Sequence, residues 1–247
     1  MFVMRIARRM GNELYKVAFP LYRPLYGAFK ALADRGERLF LERHLLPGSV
    51  VVDAGANIGI YSEFLAQCVG PGGAVHSFEP SPENFEHLTR AVARYPNVHP
   101  NRLALSDKTE QSLLYVSDQL NVDHRSYPTE GETRKTLVIR STKLDDYFKP
   151  GERVDFIKMD IQGYELHALR GAQRVLQENP GINLLLEFWP AGLAQAGVGW
   201  EEVVETLQRL NMNLTVVRTC GLVPFDARDV RNDISWYVNV FAHRTCS

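Results

Sequence analysis

The chain has 247 residues, 45% of them hydrophobic and 23% charged, with 28 Lys+Arg against 29 Asp+Glu. That length suits one large domain, or a domain with an extension, able to bury roughly 70–75% of its unfolded surface without covalent staples. The balanced charge argues against a strong electrostatic nucleic-acid binder. The three scattered cysteines argue against a disulfide frame or zinc site and for a reducing, cytoplasmic setting. The absence of a run of about 18 apolar residues argues against a membrane span.

Residues 1–46 differ in character from the rest. They carry Arg5, Arg8, Arg9, Lys16, Arg23 and Lys30 among many aromatics, and Pro20 and Pro24 predict two or three helices rather than one. The preferred reading is a helical extension packed as a cap on a domain spanning residues 47–247. The competing reading is a basic amphipathic segment resting on an anionic membrane.

From residue 46 onward, strands and helices alternate. A β-branched run, Val50–Ala54, leads through a glycine-bearing turn (Gly55, Ala56, Asn57, Gly59) into an apolar stripe of helical spacing that Gly70-Pro71-Gly72-Gly73 stops. A second strand, Ala74–Glu79, is followed by a helix from Ser81, its N-cap, to about Tyr95. Val98–Leu105 reads as a third strand, Gln111–Val116 with Thr136–Ser141 as an added hairpin, and Asp145–Phe148 as a helical turn. Val154–Ile161 and Ile182–Phe188 are buried strands separated by a helix over Tyr164–Gln177. After a helix over Trp200–Leu210, Asn213–Arg218 and Ser235–His243 fit the last two strands. No helical period joins those two, so they should be antiparallel. The whole predicts a doubly wound, seven-stranded, mostly parallel α/β sheet.

Ligands of such sheets bind where the strands end. The turn after the first strand lacks the middle glycine of a dinucleotide fingerprint. Asp53, at its entrance, would repel a pyrophosphate but could accept from an ammonium. Gly55 would let a ligand approach the backbone closely, and amides at the helix start could receive a carboxylate. Glu79 ends the second strand, where a carboxylate can take two ribose hydroxyls. An amino-acid-bearing nucleoside satisfies both features.

The stretches VVDAGANIGIYS (Val51–Ser62), SFEPSPENFEHL (Ser77–Leu88), LALSD (Leu103–Asp107), TKLDDYF (Thr142–Phe148), VDFIKMDIQGYELHALRGA (Val154–Ala172) and LLLEFWP (Leu184–Pro190) resemble the FkbM family of S-adenosylmethionine-dependent methyltransferases. The resemblance implies a Rossmann-like class I methyltransferase domain. It also implies methyl transfer from S-adenosyl-L-methionine to a hydroxyl of a sugar, glycan or secondary metabolite, with no nucleic-acid partner. It further implies that Asp53, Gly55, Ala56, Asn57 and Gly59 line the methionine part, that Glu79 and Pro80 take the ribose, and that Ser106 and Asp107 sit by the adenine. Asp160 and Glu187 would face the acceptor, with Asp160 also bordering the cofactor. The family often has an acid where this chain has Gln162.

An aliphatic hydroxyl needs its proton removed as it attacks. Asp160, closing the central strand, is one candidate base, and His124 in the loop Asn121–Tyr127 is the other, since an unperturbed imidazole accepts a proton near neutrality. Asp123, Arg125 and Tyr127 could bind a polar acceptor, and Phe188, Trp189 and Tyr164 could supply apolar faces. Asp160 with Glu187 offers two oxygen ligands to a divalent cation, but a hydrogen-bonded acid pair without metal is preferred because no third ligand is evident. A non-catalytic cofactor-binding or interaction subunit, docking through the basic N-terminal segment, stands as the alternative function. The acceptor's identity and the oligomeric state are not written in the sequence.

Overall fold

The computed structural model describes residues 13–117, 124–128, 134–219 and 221–244. An eight-stranded sheet forms the centre. Its strands are β1 (Val50–Ala54), β2 (Ala74–Phe78), β3 (Val98–Asn101), β7 (Phe156–Met159), β8 (Asn183–Phe188), β9 (Asn213–Arg218), β10 (Gly221–Pro224) and β11 (Val238–His243), in the order β10-β9-β11-β8-β7-β1-β2-β3. The run from β3 to β8 is parallel, and β11 lies antiparallel to both β8 and β9. The expected antiparallel end is therefore present, with β10 added as an eighth strand by a β9–β10 hairpin. Pro100 is tolerated in β3 because β3 is an edge strand and Pro lacks the ladder donor.

The sheet is covered on both faces, so its strands are apolar on both. Val51, Phe156 and Leu185 point to one side, where they pack with Phe40 and Leu41 of α2 (Arg35–His44) and Leu65 of α3 (Ile60–Val69). Val52, Ile157 and Leu186 point to the other, against Leu166 and Leu169 of α6 (Glu165–Arg170) and Leu176 of α7 (Gln173–Glu178). The single helix expected over Tyr164–Gln177 is thus two, because the chain turns at Gly171, where a Cβ would lie 1.9 Å from the Ser106 carbonyl oxygen. The expected third strand also divides. β3 stays in the main sheet, while β4 (Ala104–Leu105) pairs with β6 (Lys135–Thr142), which forms the predicted hairpin with β5 (Gln111–Val116). Between β6 and β7 lies the short helix α5 (Leu144–Tyr147). The helix α4 (Pro82–Val92) is N-capped by Ser81, whose hydroxyl accepts from the Asn84 amide.

Ahead of the sheet stand a helical turn at residues 13–17, α1 (Phe19–Ala33) and α2. α1 runs on through Pro24, and the chain breaks at Ala18 and Asp34 instead. Tyr15 and Tyr22 are buried against Ile58 in the turn after β1. The inner side of this segment is therefore a cap over the strand ends.

Candidate active site

Two cavities meet at the carboxyl end of β1 and β7. The first is a narrow slot between Glu79, Pro80, Leu103, Leu105, His124 and Tyr164. The second, of about 520 Å³, opens between Tyr26, Lys30, Tyr61, Arg125, Glu187 and Trp189. Gly55, Asn57, Asp160 and Gln162 line both. A narrow slot and a wider cleft therefore share one wall, and Asp160 stands in it.

The turn after β1 uses its own amides, those of residues 55–59, to shape itself, ahead of the helix that starts at Ile60. The amides of Gly55 and Ala56 both donate to the Phe78 carbonyl (3.0 Å each), and Gly59 donates to Ala56 (2.9 Å). The Asn57 amide donates to Glu79 Oε2 (2.9 Å), and the Ile58 amide to Asn57 Oδ1 (2.7 Å). Five amides are used in shaping the turn, which leaves the amides at the start of α3, with Ile60 and Tyr61 in the wider cleft, as the ones that could receive a carboxylate. Gly55 also has a reason other than ligand approach. At φ +82°, a Cβ there would lie 1.9 Å from the Asp160 carbonyl oxygen, so the glycine lets β1 and β7 close side by side under the site.

Asp53 is a correction. The expected acceptor for an ammonium is fully buried and lines neither cavity. It lies opposite Lys158 in the β1–β7 register and accepts from the Ser62 hydroxyl (2.7 Å), which in turn accepts from Ser77 (2.9 Å). Burial raises its carboxyl pKa, against the pull of Lys158 and Ser62. Its Oδ1 is buried without a hydrogen-bond partner, and its charge favours that of Lys158.

Glu79 is where a ribose acceptor should be. Its Oε1 takes the Ser81 amide (2.8 Å) and its Oε2 the Asn57 amide, which fixes both oxygens at the slot wall. The Asn84 side chain also bonds this carboxylate, which leaves one lone pair for a ribose hydroxyl. Burial pushes the carboxyl up to about 7, partly offset by these two amides and Asn84. The apolar sides of the slot, with the fixed Glu79, fit the nucleoside end of S-adenosylmethionine. Ser106 and Asp107 stand outside the lining: Ser106 donates to Asp107 (3.2 Å), and Asp107 pairs with His167 (3.3 Å). The Ser106 backbone is pressed against Gly171, so this pair buttresses the slot rather than forming its surface, a second correction.

The acidic pair comes together as expected. Gln162, held at φ +55°, donates from Nε2 to Asp160 Oδ1 (2.8 Å) and to Glu187 Oε2 (3.0 Å). Its own carbonyl accepts from the Tyr127 hydroxyl (2.6 Å). A carboxylate at this position would bring three acids together; the amide instead supplies one N–H to each. Burial works to raise the Asp160 pKa, but Lys158, Lys30 and the Gln162 amide outweigh it and hold it below the usual range. Burial and the neighbouring Asp160 charge push Glu187 well up. The pair is thus split, with Asp160 the stronger acid and Glu187 the weaker.

The positive charge beside them is Lys158, buried within β7, with its Nζ 3.9 Å from Asp160 Oδ2 and 4.3 Å from the centre of the Tyr61 ring. Burial disfavours its charge, but Asp160, Glu37 and Asp53 raise its pKa. Lys158, Lys30 and Tyr61 were absent from the residues that the sequence singles out. A lysine inside an apolar strand (FIKM) was the available signal, since a buried cation requires partners. Among the described residues, no group of three or more His, Cys, Asp or Glu has the arrangement of a metal site.

His124 falls on the donor side, lining the slot and not the wider cleft. Its Nδ1 accepts from the Ser117 amide (3.2 Å). A neutral imidazole with an accepting Nδ1 carries its proton on Nε2 and is a donor there. In this arrangement the imidazole faces the donor slot and not the acceptor cleft. Asp123 lies outside the described residues. Arg125 is buried, with its guanidinium bonded to Gln195 and lying 5.1 Å from the Trp189 ring. The Trp189 indole donates to the Ile234 carbonyl (3.0 Å), which ties the cleft wall to the segment before β11.

Comparison with known proteins agrees with this geometry. A family model described as the methyltransferase FkbM domain matches residues 53–214. The chain is 28% identical over 192 residues to the hexuronic acid methyltransferase AglP of Haloferax volcanii, covering 74% of this chain and 73% of that protein. It is 27% identical over 196 residues to the 31-O-demethyl-FK506 methyltransferase FkbM of Streptomyces tacrolimicus, covering 60% and 73%. In fold it resembles a proposed rRNA methylase of Clostridium thermocellum, with a TM-score of 0.51 at 14% identity over 85% of this chain and 94% of the other. It also resembles the fibrillarin pre-rRNA processing protein of Methanococcus jannaschii, with a TM-score of 0.50 at 15% identity over 81% and 68%. With a doubly wound sheet, a fixed strand-end glutamate and a family match over most of its length, the chain belongs to the FkbM family of methyltransferases and uses S-adenosylmethionine.

Proposed function

We propose that this protein transfers the methyl group of S-adenosylmethionine to a hydroxyl of a sugar, a glycan or a related natural product in the cytoplasm, and not to a nucleic acid. The observation that carries the reading is the shared wall: the narrow slot and the larger cleft meet at Gly55 and Asp160. The cofactor, when bound, supplies a methyl group already activated on a sulfonium. Holding the hydroxyl in line with it is most of the remaining work. Glu79 anchors the donor at the slot. Asp160, kept ionised by Lys158, accepts a hydrogen bond from the hydroxyl, aims a lone pair and takes the proton late, as positive charge builds on the attacking oxygen. Glu187, linked to Asp160 through the Gln162 amide, helps to set the orientation of that carboxylate. Trp189 and Tyr26 offer flat apolar surfaces to a ring. In this reading, Lys158 supplies the positive charge that a divalent ion would otherwise bring to the acid pair, so a chelator leaves turnover unchanged.

The test is direct. Purified protein and isotopically methyl-labelled S-adenosylmethionine are incubated with glycans and metabolites from cells that lack the protein, and the mixture is analysed by mass spectrometry. A hydroxylated product that gains one labelled methyl supports the proposal. Label found only in nucleic acid, or tight cofactor binding with no labelled product, contradicts it.

A further inference from the structure

Behind the acid pair lies a third cavity, a chamber of about 240 Å³. Its floor comes from a change of character along one face of the sheet. Phe156, Leu185 and Phe241 are apolar, and two positions further on, on the same face, stand Lys158, Glu187 and Asn239. Its roof is the corner between α1 and α2, with Lys30, Asp34 and Glu37. Lys30, Tyr61, Lys158, Asp160 and Glu187 also line the wider cleft, so the two spaces adjoin. Lys30, Asp34, Glu37 and Asn239 lie outside residues 53–214, so the chamber is built largely by segments beyond the family match.

Most polar groups of the chamber hold one another. Lys30 Nζ lies 2.5 Å from Asp34 Oδ2, which also accepts from the Tyr61 hydroxyl (3.0 Å), and Asn239 donates to Glu37 Oε2 (2.8 Å). Lys158 is the exception. Its side chain is 5% exposed, and its ion-pair partner, Asp160 Oδ2, is 3.9 Å away, beyond hydrogen-bond distance. Among the described residues, its Nζ makes no hydrogen bond, although one side of it faces the Tyr61 ring. A buried ammonium with three donors calls for oxygen atoms, and the space beside it suits a ligand that brings them. The walls narrow the choice. The carboxylates of Asp34, Glu37 and Asp160 accept, while the ammoniums of Lys30 and Lys158 donate. An anion would meet the carboxylates, a cation would meet the lysines, and an apolar group would leave Lys158 without an oxygen. A hydroxyl both donates and accepts, so several hydroxyls on one small ring satisfy both kinds of wall. The volume admits roughly eight waters, or one sugar ring, and excludes the body of a macrocycle.

We propose that this chamber is a subsite for a sugar ring: hydroxyls next to the methylated one enter it, Lys158 Nζ donates to one of their oxygens, and Glu37 and Asn239 bind another. The proposal deepens the O-methyltransferase reading and rests on it for the reacting hydroxyl. It makes the acceptor a polyhydroxylated ring rather than an isolated alcohol on an apolar skeleton.

The test measures binding and transfer separately. The full chain, loaded with S-adenosylhomocysteine, is mixed with the methyl glycosides of glucose, mannose and galactose and with cyclohexanol, and binding is read by saturation-transfer NMR. At least one glycoside is expected to bind, and cyclohexanol is not. Glu37→Gln/Asn239→Leu should weaken glycoside binding by at least about tenfold. Affinity for S-adenosylhomocysteine should not change, because neither residue lines the slot. Lys158→Met should weaken glycoside binding as strongly. If that variant does not fold, having left Asp53 and Asp160 without their cation, the Glu37/Asn239 pair decides. Labelled methyl from S-adenosylmethionine is then followed on the same compounds. A glycoside that binds through the chamber without gaining a methyl supports the subsite and counts against transfer to that sugar. No glycoside bound, cyclohexanol bound or methylated as readily as the glycosides, or variants that bind as well as wild type, overturns the subsite even if another acceptor is methylated.

Discussion

The slot on the donor side takes its polar wall from Asn57 and Glu79, one βαβ unit apart, and its shape from a turn whose five amides are all used locally. The cleft on the acceptor side draws Tyr26 and Lys30 from α1, Arg125 from the insertion beside β5, Trp189 from the end of β8, and Ile234 and Ser235 from the approach to β11. Tyr26, Lys30, Ile234 and Ser235 lie outside residues 53–214, the span matched by the family model. The donor is one molecule, so a compact unit with fixed strand ends suffices to hold it. The acceptor differs between relatives, and its walls come from segments that can change without disturbing the sheet.

The largest effect should follow from the one point on which both halves rest. Gly55→Val puts a Cβ onto the Asp160 carbonyl and forces a positive φ on a β-branched residue. The expected cost is about 3 kcal/mol or more. Melting should fall by roughly 6–12 °C, and both S-adenosylhomocysteine binding and turnover should be lost. Unchanged melting with cofactor binding alone impaired would return Gly55 to the simpler role of admitting the ligand.

Asp160→Asn should separate chemistry from binding. Turnover is expected to drop by about 10²–10⁴-fold, while affinity for S-adenosylhomocysteine by calorimetry changes by less than about threefold. A variant with normal turnover would leave the acceptor hydroxyl without the partner assigned to it and would shift attention to Glu187.

Glu79→Gln tests the donor half alone. Losing hydrogen bonds to a charged group should weaken S-adenosylhomocysteine binding by about 10–100-fold, on the order of 1.5–3 kcal/mol. The pH dependence has a definite sign. With its pKa pushed up to about 7, Glu79 is partly protonated in the free protein. A donating ribose hydroxyl favours the anion, so binding releases a proton and affinity rises with pH through about 7. Wild type should bind up to about tenfold more tightly at pH 8 than at pH 6, and Glu79→Gln should be flat. A flat wild-type profile would mean that Glu79 is already ionised before the ligand arrives.

The same division explains what could be read from the residues alone. Val50–Ala54, Ala74–Phe78 and Val154–Ile161 announce their strands because a doubly covered parallel strand is an unbroken apolar run. Glu79 and Asp160 were found because they end such strands. Asp53 has the same position in sequence and a different fate. In a period of two, it points into the sheet beside Lys158, and only the pairing of β1 with β7 shows that. Ser106 and Asp107 were placed by family likeness, but the close contact of Ser106 with Gly171, sixty-five positions away by their numbers, turns them into a support. The histidine at 124 lines the slot and not the wider cleft, with an amide from Ser117 on its Nδ1, which no spacing rule foretells. Lys30 and Tyr26 reach the cleft only because α1 packs on Ile58 through Tyr22.

The smallest expected effect is the sharpest test of the two-half view. Ile234 is exposed, lines the wider cleft and lies beyond the family match. Its backbone carbonyl, not its side chain, holds the Trp189 indole, so Ile234→Ser keeps that bond. Stability should stay within about 0.5 kcal/mol of wild type, and affinity for S-adenosylhomocysteine should not change. Loss of the apolar side chain from the acceptor wall should raise KM for the acceptor by up to about tenfold, equivalent to about 1.4 kcal/mol, with kcat nearly constant. If KM held steady while cofactor affinity fell, the segment before β11 would belong to the donor half, and the division drawn at Gly55 and Asp160 would have to move.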